Sequence, residues 1–287
     1  MPPLCAAAPV AGMRLRSLLF VPADRPERFG KAAASGTDAI ILDLEDSVAP
    51  SRKAFARDAV RAALGEPADV IRLVRINPLD ADHLPDDIEA ARGADAIMLP
   101  KAAGMATVAA LVEAYGPEDC PPILPIATEV PAAIFTLGEY AAVSDRLCGL
   151  TWGAEDLPAA IGAATSREAD SRYTDPYRMV RSLLLFGAHA AGVAAIETVY
   201  PAIADLDGLA AYAARGSRDG FTGMMAIHPT QVAAINAAFT PDAATVARAE
   251  AIVAAFAAAP EAGALQLDGR MIDAPHLRQA QAILARV

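Results

Sequence analysis

Glu129 and Asp156 carry the strongest chemical potential in this 287-residue chain, because each closes a short apolar run and the two runs are consecutive. Two carboxylates brought together repel, and a divalent cation is a common remedy. A hard oxygen site with two protein ligands leaves positions for water and substrate, as enzymes often hold Mg²⁺. The competing structural role is capping of the following helix, open above all to Asp156 in front of Leu-Pro. Arg75 and Asn77 end another run in Arg-Ile-Asn-Pro. An Arg there can grip a carboxylate bidentately or steady a developing enolate oxygen, or it can pair internally with Glu45 or Asp46, themselves either partners or participants. Lys101 ends a fourth run, and only Lys31, Lys53 and Lys101 exist in the whole chain. A Schiff-base nucleophile and an ion pair with Glu129 or a nearby acid are both open to it. His228, before Pro229, suits a structural or rim role. There is no nucleophile elbow, phosphate loop or Cys/His metal spacing.

The elements that must position these groups follow from periodicity. Eight short apolar runs recur: Ser17–Pro22, Ala39–Asp46, Val70–Asn77, Asp95–Lys101, Pro121–Glu129, Leu147–Asp156, Val193–Tyr200 and Gly223–His228. Nearly all end in a polar residue, and Ala-rich stretches long enough for helices separate them. That pattern predicts an α/β fold, a (β/α)8 TIM barrel, whose active site lies at the carboxyl ends of the strands. Pro26 in Arg25–Arg28 and Pro176 after Thr174-Asp175 mark helix starts, and Gly192 marks a stop. Gly162–Ser171, in the longest gap, reads as an active-site loop.

We divide the chain into a flexible tail, residues 1–13, a catalytic barrel, residues 14–240, and a capping appendage, residues 241–287. The appendage reads as helix, hairpin and helix, with the hairpin turning at Asp268-Gly269. It is too short to fold alone, so it must cap this barrel or a neighbouring subunit. A formal net charge of −11 argues against a nucleic-acid partner. No apolar run is long enough to span a bilayer. Cys5, Cys120 and Cys148 have no paired spacing and read as small core residues in a reducing cytoplasm.

The motifs RSLLFVPADRPERF, DAIILDLEDSVAP, VRINPLD, DAIMLPK, ATEVPAAIF, LTWGAEDL, ETVYP, MAIHPTQVAAINAAFTP and LDGRMIDAPH run collinearly from Met13 almost to the C-terminus. In them the chain resembles the citrate lyase beta-subunit family, the CoA-ester lyases of the HpcH/HpaI aldolase superfamily. The resemblance implies a Mg²⁺-dependent barrel acting on citryl-, malyl- or citramalyl-CoA, as a homo-oligomer, trimer or hexamer. By motif, Glu129 and Asp156 would hold Mg²⁺ and Arg75 would clamp a substrate oxygen. Phe20, Arg25 and Lys31 would meet the substrate and CoA. Asp273 would reach a neighbouring subunit's active site as acid or base. Three departures stand out. Ala23 replaces a frequent Gly, Met224 a frequent Lys, and Ala-Thr-Glu-Val-Pro a more usual Ile-Glu-Thr.

The implied reaction is cleavage or formation of a C–C bond next to a CoA thioester, giving an acetyl-CoA-type thioester and a 2-oxo acid. Hydrolysis of a malyl-CoA-type thioester at the same metal site, and a CoA-independent pyruvate aldolase, are the alternative chemistries. A non-catalytic scaffold, and a citrate lyase subunit fed by an acyl-carrier protein, are the alternatives of another kind.

Overall fold

A computed structural model describes residues 13–287; the tail and Cys5 expectations fall on residues 1–12, outside the described residues. The strands are β1 Ser17–Pro22, β2 Ala39–Asp43, β3 Ile71–Arg75, β4 Ala96–Leu99, β5 Ile123–Pro125, β6 Gly149–Thr151, β7 Ala194–Glu197 and β8 Gly223–Ala226. All are parallel, in the order β5-β4-β3-β2-β1-β8-β7-β6. Isolated bridges Ile123↔Leu147 and Ile126↔Thr151 join β5 to β6 and close the barrel. The predicted TIM barrel is therefore the observed fold. Most strands are shorter than the apolar runs, because pairing stops before the polar residues that each run ends in.

Alternation fixes what those ends present. Leu18, Ile41, Leu73, Leu124, Ile196 and Met225 belong to one buried interior cluster. Two residues further along each strand direction stand Phe20, Asp43, Arg75, Ile126, Thr198 and Ile227, and all six line the cavity at the barrel's mouth. The interior rows thus run without interruption from apolar floor to functional rim.

The helices form where their signals sit. Asp175–Ala191 follows extended Thr174, carries Pro in its first turn, and ends at left-handed Gly192 with φ 69°. Pro26–Arg28 opens as a 3₁₀ turn and passes into Phe29–Ala33. Residues Pro131–Arg146 differ from the expected α-helix: they form 3₁₀ helix broken at Val143. This stretch packs closely on Asp175–Ala191, where a Cβ on Gly187 would lie 3.1 Å from the Leu137 carbonyl oxygen. Among the described residues no helix is long and apolar enough to cross a membrane.

The chain divides into two compact units after Asn236. In the second, helix Ala243–Ala258 is capped by Asp242, whose Oδ1 accepts from the Thr245 N–H at 2.7 Å. A hairpin of β9 Ala264–Leu267 and β10 Arg270–Asp273 follows, then helix Ala274–Leu284. Asp268 and Gly269 both have positive φ, 51° and 74°, as a tight two-residue turn requires. Ile252, Ile272 and Ala280 form this unit's own small core.

Candidate active site

The cavity has a volume of about 330 Å³ and is lined on its acidic side by Asp43, Asp46, Glu129, Glu155 and Asp156. Arg75 is the cation among its lining residues, and Phe20, Ile126, Val199 and Met225 supply its apolar wall. All six of these charged residues stand on β2, β3, β5 or β6 or just beyond their carboxyl ends.

On the β2–β3 side, charges cancel. The strand register sets Asp43 directly beside Arg75. Arg75 Nε donates to Asp43 Oδ1 at 2.7 Å and Nη2 to Oδ2 at 2.6 Å, a bidentate pair. Its Nη1 lies 2.9 Å from Glu45 Oε2. Burial works against the guanidinium's charge, but the bond to Asp43 and the charges of Asp43 and Glu45 hold its pKa above the usual value. For Asp43, burial pushes upward, yet the Arg75 bond and charge win and its pKa lies below the ordinary value. Glu45 is pushed upward by burial, against the pull of Arg75 and Lys101.

Beneath Glu45 runs a buried polar relay. Lys53 Nζ donates to the carbonyls of Leu44 at 2.5 Å and Glu45 at 2.7 Å, and to Asn77 Oδ1 at 2.7 Å. Asn77 Nδ2 and its backbone N–H both donate to Asp87 Oδ2, and Arg57 Nε donates to Asp87 Oδ1. The relay pins the end of β2 to the end of β3 and gives Asn77 a structural role.

On the β5–β6 side charge accumulates. Glu129 is 4 % exposed and faces the same cavity as Asp156. Its single hydrogen bond among the described residues comes from the Lys101 backbone N–H, 2.7 Å from Oε2. The Glu129 pKa is raised to about 8, chiefly by burial and further by the charges of Asp156 and Glu45, against the opposing Lys101 amide and ammonium. Room for the carboxylate comes from Gly153, where a Cβ would lie 2.6 Å from Glu129 Cγ. Thr128 holds Gly153 in place, its Oγ1 accepting from the Gly153 N–H at 3.1 Å and donating to the Gly153 carbonyl at 3.3 Å. The Ala-Thr-Glu departure thus supplies the brace beside the acid.

Asp156 is the first residue of helix Asp156–Ile161, and the cap position is Glu155, with no side-chain capping bond. Its carboxylate instead lies 3.6 Å from Lys101 Nζ. Lys101 Nζ also donates to Glu45 Oε1 at 2.6 Å. Burial lowers the lysine's pKa, but Glu45, Glu129 and Asp156 more than reverse this and hold it above the usual value. A Schiff-base nucleophile needs the opposite shift, so the ion-pair reading is the one the structure favours. Lys101 has φ 52°, a left-handed conformation that costs a non-glycine residue on the order of 1–2 kcal/mol.

Other sequence expectations meet the structure unevenly. Phe20 lines the cavity and packs against the Arg75 guanidinium at 4.8 Å. Arg25 and Lys31 are exposed and absent from its lining, Arg25 pairing at 3.8 Å with Asp24. No residue of 162–171 lines the cavity; Arg167 folds back onto Tyr173, its Nη2 donating to the hydroxyl at 2.7 Å. Met224 is fully buried on the face of β8 opposite Met225, so the missing Lys takes no charge from the cavity. Ala23 is buried, its N–H donating to the Asp43 carbonyl. His228 Nδ1 accepts from the Thr230 N–H, a capping role. Asp273 caps helix Ala274–Leu284 in a reciprocal box with His276, 2.6 Å away. Asp43 is the rim residue that sequence reasoning passed over, among three acids in Asp-Leu-Glu-Asp.

Residues 16–229 match the family model for HpcH/HpaI aldolase/citrate lyase. The crystal structure of protein CitE from Mycobacterium tuberculosis in complex with magnesium, acetoacetate and coenzyme A superposes with a TM-score of 0.79. It shares 38 % identity, over 94 % of this chain and 97 % of that one. Two proteins of Cereibacter sphaeroides are also similar. The L-malyl-CoA/beta-methylmalyl-CoA lyase is 34 % identical, covering 94 % of this chain and 93 % of its own. The (3S)-malyl-CoA thioesterase is 33 % identical, covering 94 % of each chain. With that match across the barrel and a rim of this composition, the chain belongs to the HpcH/HpaI aldolase/citrate lyase family.

Proposed function

We propose that this chain is a Mg²⁺-dependent lyase. It cleaves or forms the C–C bond of a 3-hydroxyacyl-CoA such as citryl-, malyl- or citramalyl-CoA, linking it to an acetyl-CoA-type thioester and a 2-oxo acid. The observation that carries this reading is the shared cavity of Glu129, Asp156 and Arg75. The donor set fits a hard cation: both groups are carboxylates, Glu129 has a single hydrogen bond among the described residues, and mutual repulsion rewards a positive charge between them. Among the described residues no third His, Cys, Asp or Glu joins such a cluster. Two protein ligands leave most of an octahedron to water and substrate, as Mg²⁺ commonly requires. The relative from M. tuberculosis is named with magnesium, acetoacetate and coenzyme A, which supports the same assignment here.

When bound, the ion supplies Lewis acidity to the substrate's hydroxyl and carboxylate oxygens. Arg75, held rigid by Asp43 and Glu45, keeps further N–H groups for the thioester oxygen, where charge gathers as the bond breaks. Phe20 walls this part of the cavity, and Arg25 and Lys31 serve the CoA end. Asp273 of a neighbouring subunit moves the proton: its carboxylate takes one from the thioester α-carbon in synthesis and returns it in cleavage. His276 and its own burial pull in opposite directions, and the His276 bond prevails, keeping the Asp273 pKa below the usual value and favouring the base form.

A homo-oligomer, trimer or hexamer, is part of this proposal. Met179, Leu183 and Phe186 form an exposed apolar row on helix Asp175–Ala191, a surface suited to a second copy. A cytoplasmic location follows from the CoA substrate. Incubation with citryl-, malyl-, citramalyl- and methylmalyl-CoA in Mg²⁺, with products identified by mass spectrometry, tests the reading. A 2-oxo acid plus acetyl-CoA or propionyl-CoA is expected, and Glu129→Ala should abolish both turnover and Mg²⁺ uptake. Free malate plus CoA would instead establish the thioesterase reading, which the C. sphaeroides thioesterase supports. A monomer with full activity would remove Asp273 from the mechanism.

A further inference from the structure

Lys101 meets three acids of the rim through two different parts of one residue. Its N–H and its ammonium could each be supplied by simpler means. A glycine would adopt the left-handed turn without strain, and Glu45 already has Arg75 beside it. The turn is held from both flanks: the Ile126 N–H donates to the Leu99 carbonyl at 2.8 Å, and the Ala102 N–H to the Ile126 carbonyl at 3.3 Å. Between these two bonds the Lys101 N–H donates to Glu129 Oε2 at 2.7 Å.

Resting on the Mg²⁺ reading above, we propose that Lys101 is the positioning residue of the carboxylate pair. Its left-handed backbone aims an amide at Glu129 Oε2, leaving Oε1 as the oxygen that Glu129 gives to a divalent cation. Its ammonium, anchored on Glu45, stands 3.6 Å from Asp156 Oδ1 and competes with the cation for that acid. The first contact selects geometry and the second limits affinity, so that the ion is held in one arrangement without being held too tightly.

The two contacts separate in mutants of the full chain, titrated calorimetrically with MgCl₂ and with MnCl₂ alone, without substrate. Lys101→Gly keeps the turn and the amide and loses the ammonium, so the metal should bind roughly fivefold more tightly than to wild type. Lys101→Val loses the same charge but resists the left-handed region, so it should bind about tenfold more weakly than Lys101→Gly. Should the valine variant fail to fold, Lys101→Ala carries the same comparison, with an expected weakening of about threefold. Equal affinities of the glycine variant and its valine or alanine counterpart would overturn the amide's role. A glycine variant no tighter than wild type would overturn the ammonium's. Wild-type protein that takes up neither metal would overturn the Mg²⁺ reading and this proposal together, whereas metal uptake unaltered by the substitutions overturns this proposal alone.

Discussion

Glu129 and Glu197 are both buried glutamates at the carboxyl ends of barrel strands, yet their surroundings are opposite. Glu197 is fully buried and saturated. Trp152 Nε1 and the Tyr212 hydroxyl donate to its Oε1 at 2.6 and 2.9 Å, the Thr198 N–H to the same oxygen at 3.0 Å, and Arg181 Nε to Oε2 at 2.6 Å. Glu129 receives one amide and faces Asp156 and Glu45, two further acids. A buried carboxylate that has every donor it can use is a structural tie. One left short of donors beside a second acid is a place kept for something else.

Substitutions can break this contrast. The largest effect is expected from Glu197→Ala, which strands Arg181, Trp152 and Tyr212 without their acceptor. A loss of about 3–5 kcal/mol, read from denaturant unfolding, follows from removing one partner of a buried ion pair. A change below 1 kcal/mol would show that Glu197 is no tie. Next comes Gly153→Ala, whose new Cβ must displace the Glu129 side chain. Metal affinity should fall at least about tenfold, or 1.4 kcal/mol, with the melting temperature little changed. Unaltered affinity would mean that Glu129 does not need its present position.

Glu129→Gln should act in the reverse sense to Glu197→Ala and stabilise the metal-free protein at pH 8 by about 1 kcal/mol. The sign follows from linkage. The folded pKa of about 8 stands above the ordinary carboxylate value, so the unfolded chain releases this proton first as pH rises. Metal-free stability must therefore decline from roughly pH 4.5 toward pH 8 and level off above it. Thermal melts in chelator across that range should show the decline in wild type and a weaker one in the Gln variant. Parallel curves for the two would remove Glu129 as its source.

What the sequence reveals of all this depends on whether the cause is local. Eight buried parallel strands announce themselves because both faces are covered and the apolar runs are continuous. Thr174 and Gly192 bound a helix, and Asp268-Gly269 turns a hairpin, for reasons confined to a few residues. The Asp43–Arg75 pair is different. Asp43, Glu45 and Asp46 are equally acidic in the sequence, and only the β2–β3 register chooses among them. Asp87 looks like one more surface acid near a helix start, and its burial under Arg57 and Asn77 exists only in three dimensions. Lys101 carries no mark of a positive φ, since no Gly or Asn stands there. The 162–171 segment has the composition of a mobile loop, but the Arg167–Tyr173 stacking draws it away from the cavity lining.

Seven of the eight neighbouring strand pairs are laced by continuous ladders, and the eighth, between β5 and β6, has two separated bridges. Glu129 and Asp156 stand just above that thinnest seam, one on each side. Whatever fastens the two acids also laces the barrel shut at its weakest stitch, so occupancy of the site and closure of the wall draw on the same free energy.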